Sequence, residues 1–248
     1  MSERAHKQLQ AGILLGLGAF LFYKSLSGTL YFYINARFTW LVLAGGAILL
    51  ALAFVAWPRR SEAHVHHHED DHEHDHAHTR SLWPLVVLCV PLVLGFLVPS
   101  RPLDSSALDT RGLTTNALAS MGGQNAVQLE QPSDQRNVLD WVRAFNFAVD
   151  PVIYEGEPAD VVGFVYRDQR LPEGQFLVGR FAVSCCAADA FAVGMIVQSD
   201  DASRWQPNQW VHVNGIVQVS YLDGVAMPLI EAASIKEVDI PPQPYLFP

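Results

Sequence analysis

Phe38–Trp57 reads FTWLVLAGGAILLALAFVAW, twenty consecutive residues without a charge. As a helix rising ~1.5 Å per residue it spans about 30 Å, the thickness of the hydrocarbon core of a bilayer. Arg37 stands before it and Arg59 and Arg60 after it, so the run is fenced by cations at both ends. A core helix of a soluble domain would keep a polar face, and this run has none. The stretch therefore sets the fold class: a helical membrane region with the remainder of the chain attached to it.

Toward the N-terminus, residues 10–24 are apolar and glycine-containing, follow Arg4 and Lys7, and lack a small-residue cleavage site, so they read as a retained span. Leu30–Ile34 adds an aromatic stretch of the kind that sits at a membrane interface. Toward the C-terminus, Leu82–Val98 supplies seventeen more apolar residues between Arg80 and Arg101, with kinks expected at Pro84 and Pro91. Residues 1–100 are thus expected to form a membrane domain of about three spans, near 10–24, 38–57 and 82–98. Half the residues are hydrophobic and the mean hydropathy is +0.16, an apolar excess that spans explain and a soluble domain of 248 residues does not.

Between the second and third spans lies a histidine-rich loop, 61–80. It carries His64, His66, His67, His68, His72, His74, His76 and His78 among Glu62, Glu69, Asp70, Asp71, Glu73 and Asp75. The loop has too little apolar surface for a core, and imidazole with carboxylate is a loose ligand set for zinc, nickel or copper. The alternative is a solvated spacer. Fixed zinc-finger spacing is absent, so a structured zinc site is not expected there.

Residues 101–132, rich in Ser, Thr, Gly, Asn and Gln, read as a linker to a soluble domain over 133–248. Ser133 or Asp134 is expected to cap a helix whose Val138, Trp141, Val142 and Phe145 share one face. Five strand-like runs follow, 159–167, 175–183, 191–198, 209–220 and 225–238, the last with a break. Gly163 and Gly215 fall in mid-strand, where a bulge or tight bend is expected. The fold class is therefore a membrane helical region plus a small OB-like β-barrel with one flanking helix. A net charge of −9 argues against a nucleic-acid partner. Three cysteines are too few for a disulfide scaffold.

Two of those cysteines are adjacent, within Arg180–Ala190, RFAVSCCAADA. Neighbours on a continuing strand point to opposite faces, so the chain is expected to turn there. Ser184 is then the expected N-cap of a short helix through Ala187–Ala190, whose amides would favour thiolates. The candidate metal or thiol site is Cys185, Cys186, Asp189 and His212, with Arg180 as a supporting polar group and zinc as the favoured divalent cation. Buried structural cysteines are the alternative.

Phe181–Ala190 resembles the Cys-Cys-x-Ala-Asp-Ala signature of the YcgQ-type bacterial membrane proteins. The likeness extends to Tyr33–Arg37, to the histidine-rich loop, to Gly163–Arg167 and to Trp210–Gly215. The resemblance implies a membrane anchor, an attached β-rich domain and a permease partner, and it brings no catalytic residues.

Arg4, Lys7, Arg59, Arg60 and Arg80, against Lys24, Arg37, Arg101 and Arg111 on the other side, lead us to expect the N-terminus and the histidine-rich loop in the cytoplasm. The C-terminal domain then lies outside the cell membrane. Glycine-rich phosphate loops, nucleophile elbows and HExxH helices are absent, so an enzyme is not expected. Three readings remain open: an accessory permease subunit tied to metal handling, a membrane-tethered thiol redox protein, and a structural anchor with a binding barrel.

Overall fold

The structure, a computed structural model, describes residues 3–57, 83–113 and 131–247. The chain forms two units, Met1–Leu30 with Arg37–Ser100, and Tyr31–Ala36 with Arg101–Pro248. The histidine-rich loop lies outside the described residues.

The first unit contains α1 (Glu3–Leu26), α2 (Thr39–Ala56) and α3 (Trp83–Leu97). Small residues let α1 and α2 approach closely: a Cβ added at Gly18 would lie 3.0 Å from the Gly46 carbonyl oxygen. Phe20 and Phe96 join α1 to α3 with ring centroids 5.1 Å apart. Ala5–Leu26 and Ala36–Ala56 are long and apolar enough to cross a membrane, and only 17% and 11% of their most apolar windows are buried. A core helix of a soluble protein would bury most of that surface, so lipid is the fitting environment. The α3 helix is shorter, at 15 residues. Of the two expected kink sites, Pro91 lies inside the described helix.

The second unit is built on six strands: β1 (Pro158–Tyr166), β2 (Gln175–Ala182), β3 (Phe191–Gln198), β4 (Trp210–Leu222), β5 (Val225–Glu237) and β6 (Tyr245–Leu246). Their order is β1-β4-β5-β3-β2-β6, and β1 also pairs with β2. The pair β3–β5 is parallel, as is β2–β6. The β6 strand escapes sequence reading because two residues after a Pro-Pro-Gln-Pro run carry no periodicity. The expected break in the last long strand is instead a register shift of the β4–β5 pair at Asn214/Gly215. Gly163 is required by close approach: a Cβ there would meet the Gly179 carbonyl oxygen at 2.5 Å.

Two of the sequence expectations are corrected. The flanking helix, α5 (Val138–Phe147), follows α4 (Ser105–Arg111) and is capped by Asn137, whose Oδ1 accepts the N–H groups of Leu139 and Asp140. Ser133–Gln135 is a separate 3-10 turn. Asn137 wins because Asp140 completes a capping box with it. Nor is all of 101–132 a linker. Leu108 on α4 is 2% exposed against Phe164, Phe181 and Trp210, a burial that stabilises by about 2 kcal/mol. Tyr166 donates to Asp109 and the Ser105 N–H to Asn208, fixing α4 in place.

The core lies on both faces of β2 and β3. On one face α5 inserts Trp141, Val142 and Phe145 among Val178, Val193, Met195 and Ile230. On the other, α4 meets Phe164, Phe181 and Tyr245. Double-sided burial explains why 175–182 and 191–198 read as near-continuous apolar runs.

Candidate functional site: the Cys185–Asp189 loop

Val183 is the last core residue after β2, and the chain turns before β3. Cys186 takes the N-cap position of a 3-10 turn, Ala187–Asp189, so the expected cap at Ser184 is corrected. The reason is Asp189. Its Oδ1 accepts the Ser184 N–H at 3.0 Å, and its Oδ2 accepts those of Cys185 at 2.7 Å and Cys186 at 3.4 Å. One carboxylate thus absorbs three consecutive amides.

The carbonyl side of the loop is held by other segments of the same unit. Asn35, 5% exposed, donates its Nδ2–H to Ser184 O and its backbone N–H to Cys185 O, both at 3.0 Å. The Ala187 N–H donates to Tyr33 O at 2.8 Å, and Ile34 pairs antiparallel with Cys186. The Arg111 guanidinium donates to Ala187 O and Ala190 O at 3.1 and 2.8 Å. The Cys186 carbonyl accepts the Asp189 N–H. The backbone N–H and C=O groups from Ser184 through Ala187 are all partnered, and what the loop offers outward is sulfur.

Cys185 is exposed, Cys186 half-buried, and both are free thiols with Sγ atoms 3.6 Å apart. The ligand atoms of Cys185, Cys186 and Asp189 all lie within 4.8 Å of one another. Hydrogen bonding to the Asp189 carboxylate, then to Cys186, pushes the Cys185 pKa up to about 12. Partial burial works to raise the Asp189 pKa, but the Cys185 thiol and the three amides outweigh it and hold the carboxyl below its usual range. The expectation that amides would favour thiolate is therefore corrected: the carboxylate has taken those amides and set a negative charge beside the sulfur.

The remaining sequence candidates lie elsewhere. His212 is hydrogen-bonded through Nε2 to the Asp160 carboxylate across the β1–β4 pairing. Arg180 is buried and spends its fork on Pro244 O, Gln243 O and Val162 O, with Trp210 beneath its guanidinium at 5.1 Å. Burial lowers its pKa to about 10, which leaves it charged at neutral pH. Arg180 thus anchors the C-terminal segment. Cys89 lies in α3. The residues missed by sequence reading are Asn35 and Arg111; an Asn directly after the aromatic Leu30–Ile34 run was the available signal.

Models of two adjoining domains match the chain, the DUF1980 N-terminal domain over residues 9–114 and the DUF1980 C-terminal domain over residues 114–248. The chain belongs to the DUF1980 family. Two curated relatives agree with the YcgQ-type resemblance. One, from Streptococcus mutans, is provisionally named a two-component membrane permease complex subunit; it is 23% identical over 95% of this chain and 97% of its own. The other is UPF0703 protein YcgQ of Bacillus subtilis, 26% identical over the same shares. Among solved structures, a small single-stranded DNA-binding protein from Streptomyces coelicolor covers 34% of this DUF1980 chain and 93% of its own at 13% identity. Its TM-score of 0.23 is too low to bear on fold or function.

Proposed function

We propose that this DUF1980 protein is an accessory membrane subunit of a permease that handles transition-metal ions. The observation that carries the permease part is the near end-to-end match to a relative named as a permease complex subunit. The metal part is supported by the histidine-rich loop, His64–His78, and by the paired thiols with Asp189; zinc is the favoured ion. Affinity purification from native membranes in mild detergent is expected to recover a polytopic transporter in fixed ratio. Recovery of this chain alone would contradict the reading.

A three-span topology is part of the same reading, and it is supported by Tyr31–Ala36, which lies between α1 and α2 in sequence and groups with the second unit. In this reading α1 and α2 both cross, and the connection between them is on the side of the C-terminal domain. The apolar run 82–98 is the third span of this reading, with the histidine-rich loop on the opposite side. With the basic residues of the N-terminal side held in the cytoplasm, the C-terminal domain is extracytoplasmic. In a background with Cys89, Cys185 and Cys186 replaced, single cysteines at Ser27 and Ser133 should label from outside and one at Ser61 from inside. The strand cycle β1-β2-β3-β5-β4-β1 supports the OB-like barrel.

A further inference from the structure

We infer that Cys185, Cys186 and one carboxylate oxygen of Asp189 form an open, three-ligand exchange site for a tetrahedral thiophilic cation of the Zn2+ class, on a platform completed by Asn35. The inference rests on the metal-handling reading above for its biological direction, but its geometry stands without it.

Distance selects the ion class. With Zn–S bonds of about 2.3 Å at tetrahedral angles, two thiolate ligands lie about 3.8 Å apart. The two Sγ atoms are 3.6 Å apart before any ion is bound. A linear two-thiolate ion would separate its sulfurs by about two bond lengths and would force the loop open. A disulfide would need them at about 2.05 Å, across a peptide that holds neighbouring Cα atoms at about 3.8 Å, outside the usual range for such bridges. The resting spacing therefore matches one edge of a coordination tetrahedron.

Asp189 fits as the third ligand with one oxygen. Its Oδ2 already accepts two backbone N–H groups, whereas Oδ1 accepts one backbone N–H, that of Ser184, and is the oxygen less committed to the loop's amides. On binding, each thiol gives its proton to solvent and the sulfur lone pair goes to the cation.

Structural zinc sites have four protein ligands and are closed, whereas this one offers three at an exposed turn, leaving a position for water or for a ligand of the receiving protein. Exposure with rigidity is the property an exchange site needs. Rigidity comes from Asn35, which closes the Ser184 and Cys185 carbonyls. Asn35 is thus a positioning residue.

The test uses the full chain in detergent, with Cys89→Ser to leave two thiols, titrated with Co2+ and back-titrated with Zn2+. Thiolate-to-cobalt charge-transfer absorption reports sulfur ligation and is blind to the histidine-rich loop. The expected result is a saturable band, its reversal by Zn2+, its loss in Cys185→Ser/Cys186→Ser, and roughly tenfold weaker binding in Asp189→Asn and Asn35→Ala, an effect of about 1.4 kcal/mol. Thermal unfolding of the serine double variant should match the parent, which separates lost ligands from lost fold. No charge-transfer band, or a band retained without both cysteines, would overturn the inference. Copurification with the transporter tests the permease reading independently, so either can fail alone.

Discussion

Two places in the C-terminal unit set a metal-ligating side chain beside a carboxylate, and they differ in what the carboxylate is doing. At His212 the Asp160 carboxylate is spent on the imidazole itself, across paired strands. At Cys185 and Cys186 the Asp189 carboxylate holds three backbone amides besides the Cys185 thiol, and the sulfurs remain adjacent, Cys185 exposed and Cys186 half-buried. The first is a single pair, whereas the second is a backbone-anchored carboxylate with two sulfurs beside it. Proximity of ligand types therefore does not make a site; ligand atoms must keep a coordination position once the backbone is satisfied.

The largest effect should come from the cysteines. Cys185→Ser/Cys186→Ser should eliminate thiolate–metal absorption, while His212→Ala should leave it unchanged; a loss in the histidine variant would place His212 at the site and erase the contrast.

Next comes Asn35→Ala, which leaves a partly buried carbonyl without its donor and should lower the stability of the C-terminal unit by about 1–3 kcal/mol in denaturant unfolding. A neutral result would mean the platform is held without the connection.

Asp189→Asn should do two things. Weakening the cap should reduce stability by about 1 kcal/mol. Removing the carboxylate should also let the Cys185 thiol fall from its raised value, about 12. A raised thiol pKa means less thiolate below it, so the variant should be alkylated faster than the parent at about pH 8. Slower alkylation in the variant would reverse the sign and remove Asp189 as the cause.

The smallest effect is expected at the other pair. His212 and Asp160 have side chains 34% and 42% exposed, so losing their hydrogen bond in His212→Ala should cost at most about 1 kcal/mol.

Much of this was legible in the sequence, for physical reasons that can be named. Phe38–Trp57 announced a span because nothing but lipid covers twenty uncharged residues. The strand runs after 158 were readable because Gln175–Ala182 and Phe191–Gln198 are buried on both faces. The turn at Cys185 followed from the impossibility of aiming two strand neighbours at one ion. What was not legible depends on contacts distant in sequence. Asn35 reaches Ser184 across 149 positions, and Leu108 looked like part of a polar linker because a single leucine carries no period. The Ser184 cap failed because a carboxylate competes better for amides than a hydroxyl, and Asp189 lay within reach.

The central claim is that the loop fixes two thiols at the spacing a tetrahedral cation requires. Alkylation of the full chain, read by mass spectrometry at each cysteine with and without Zn2+, tests it most directly. The account predicts that Zn2+ protects Cys185 and Cys186 together and leaves the Cys89 rate unchanged. Equal rates with and without Zn2+ at both residues would contradict it.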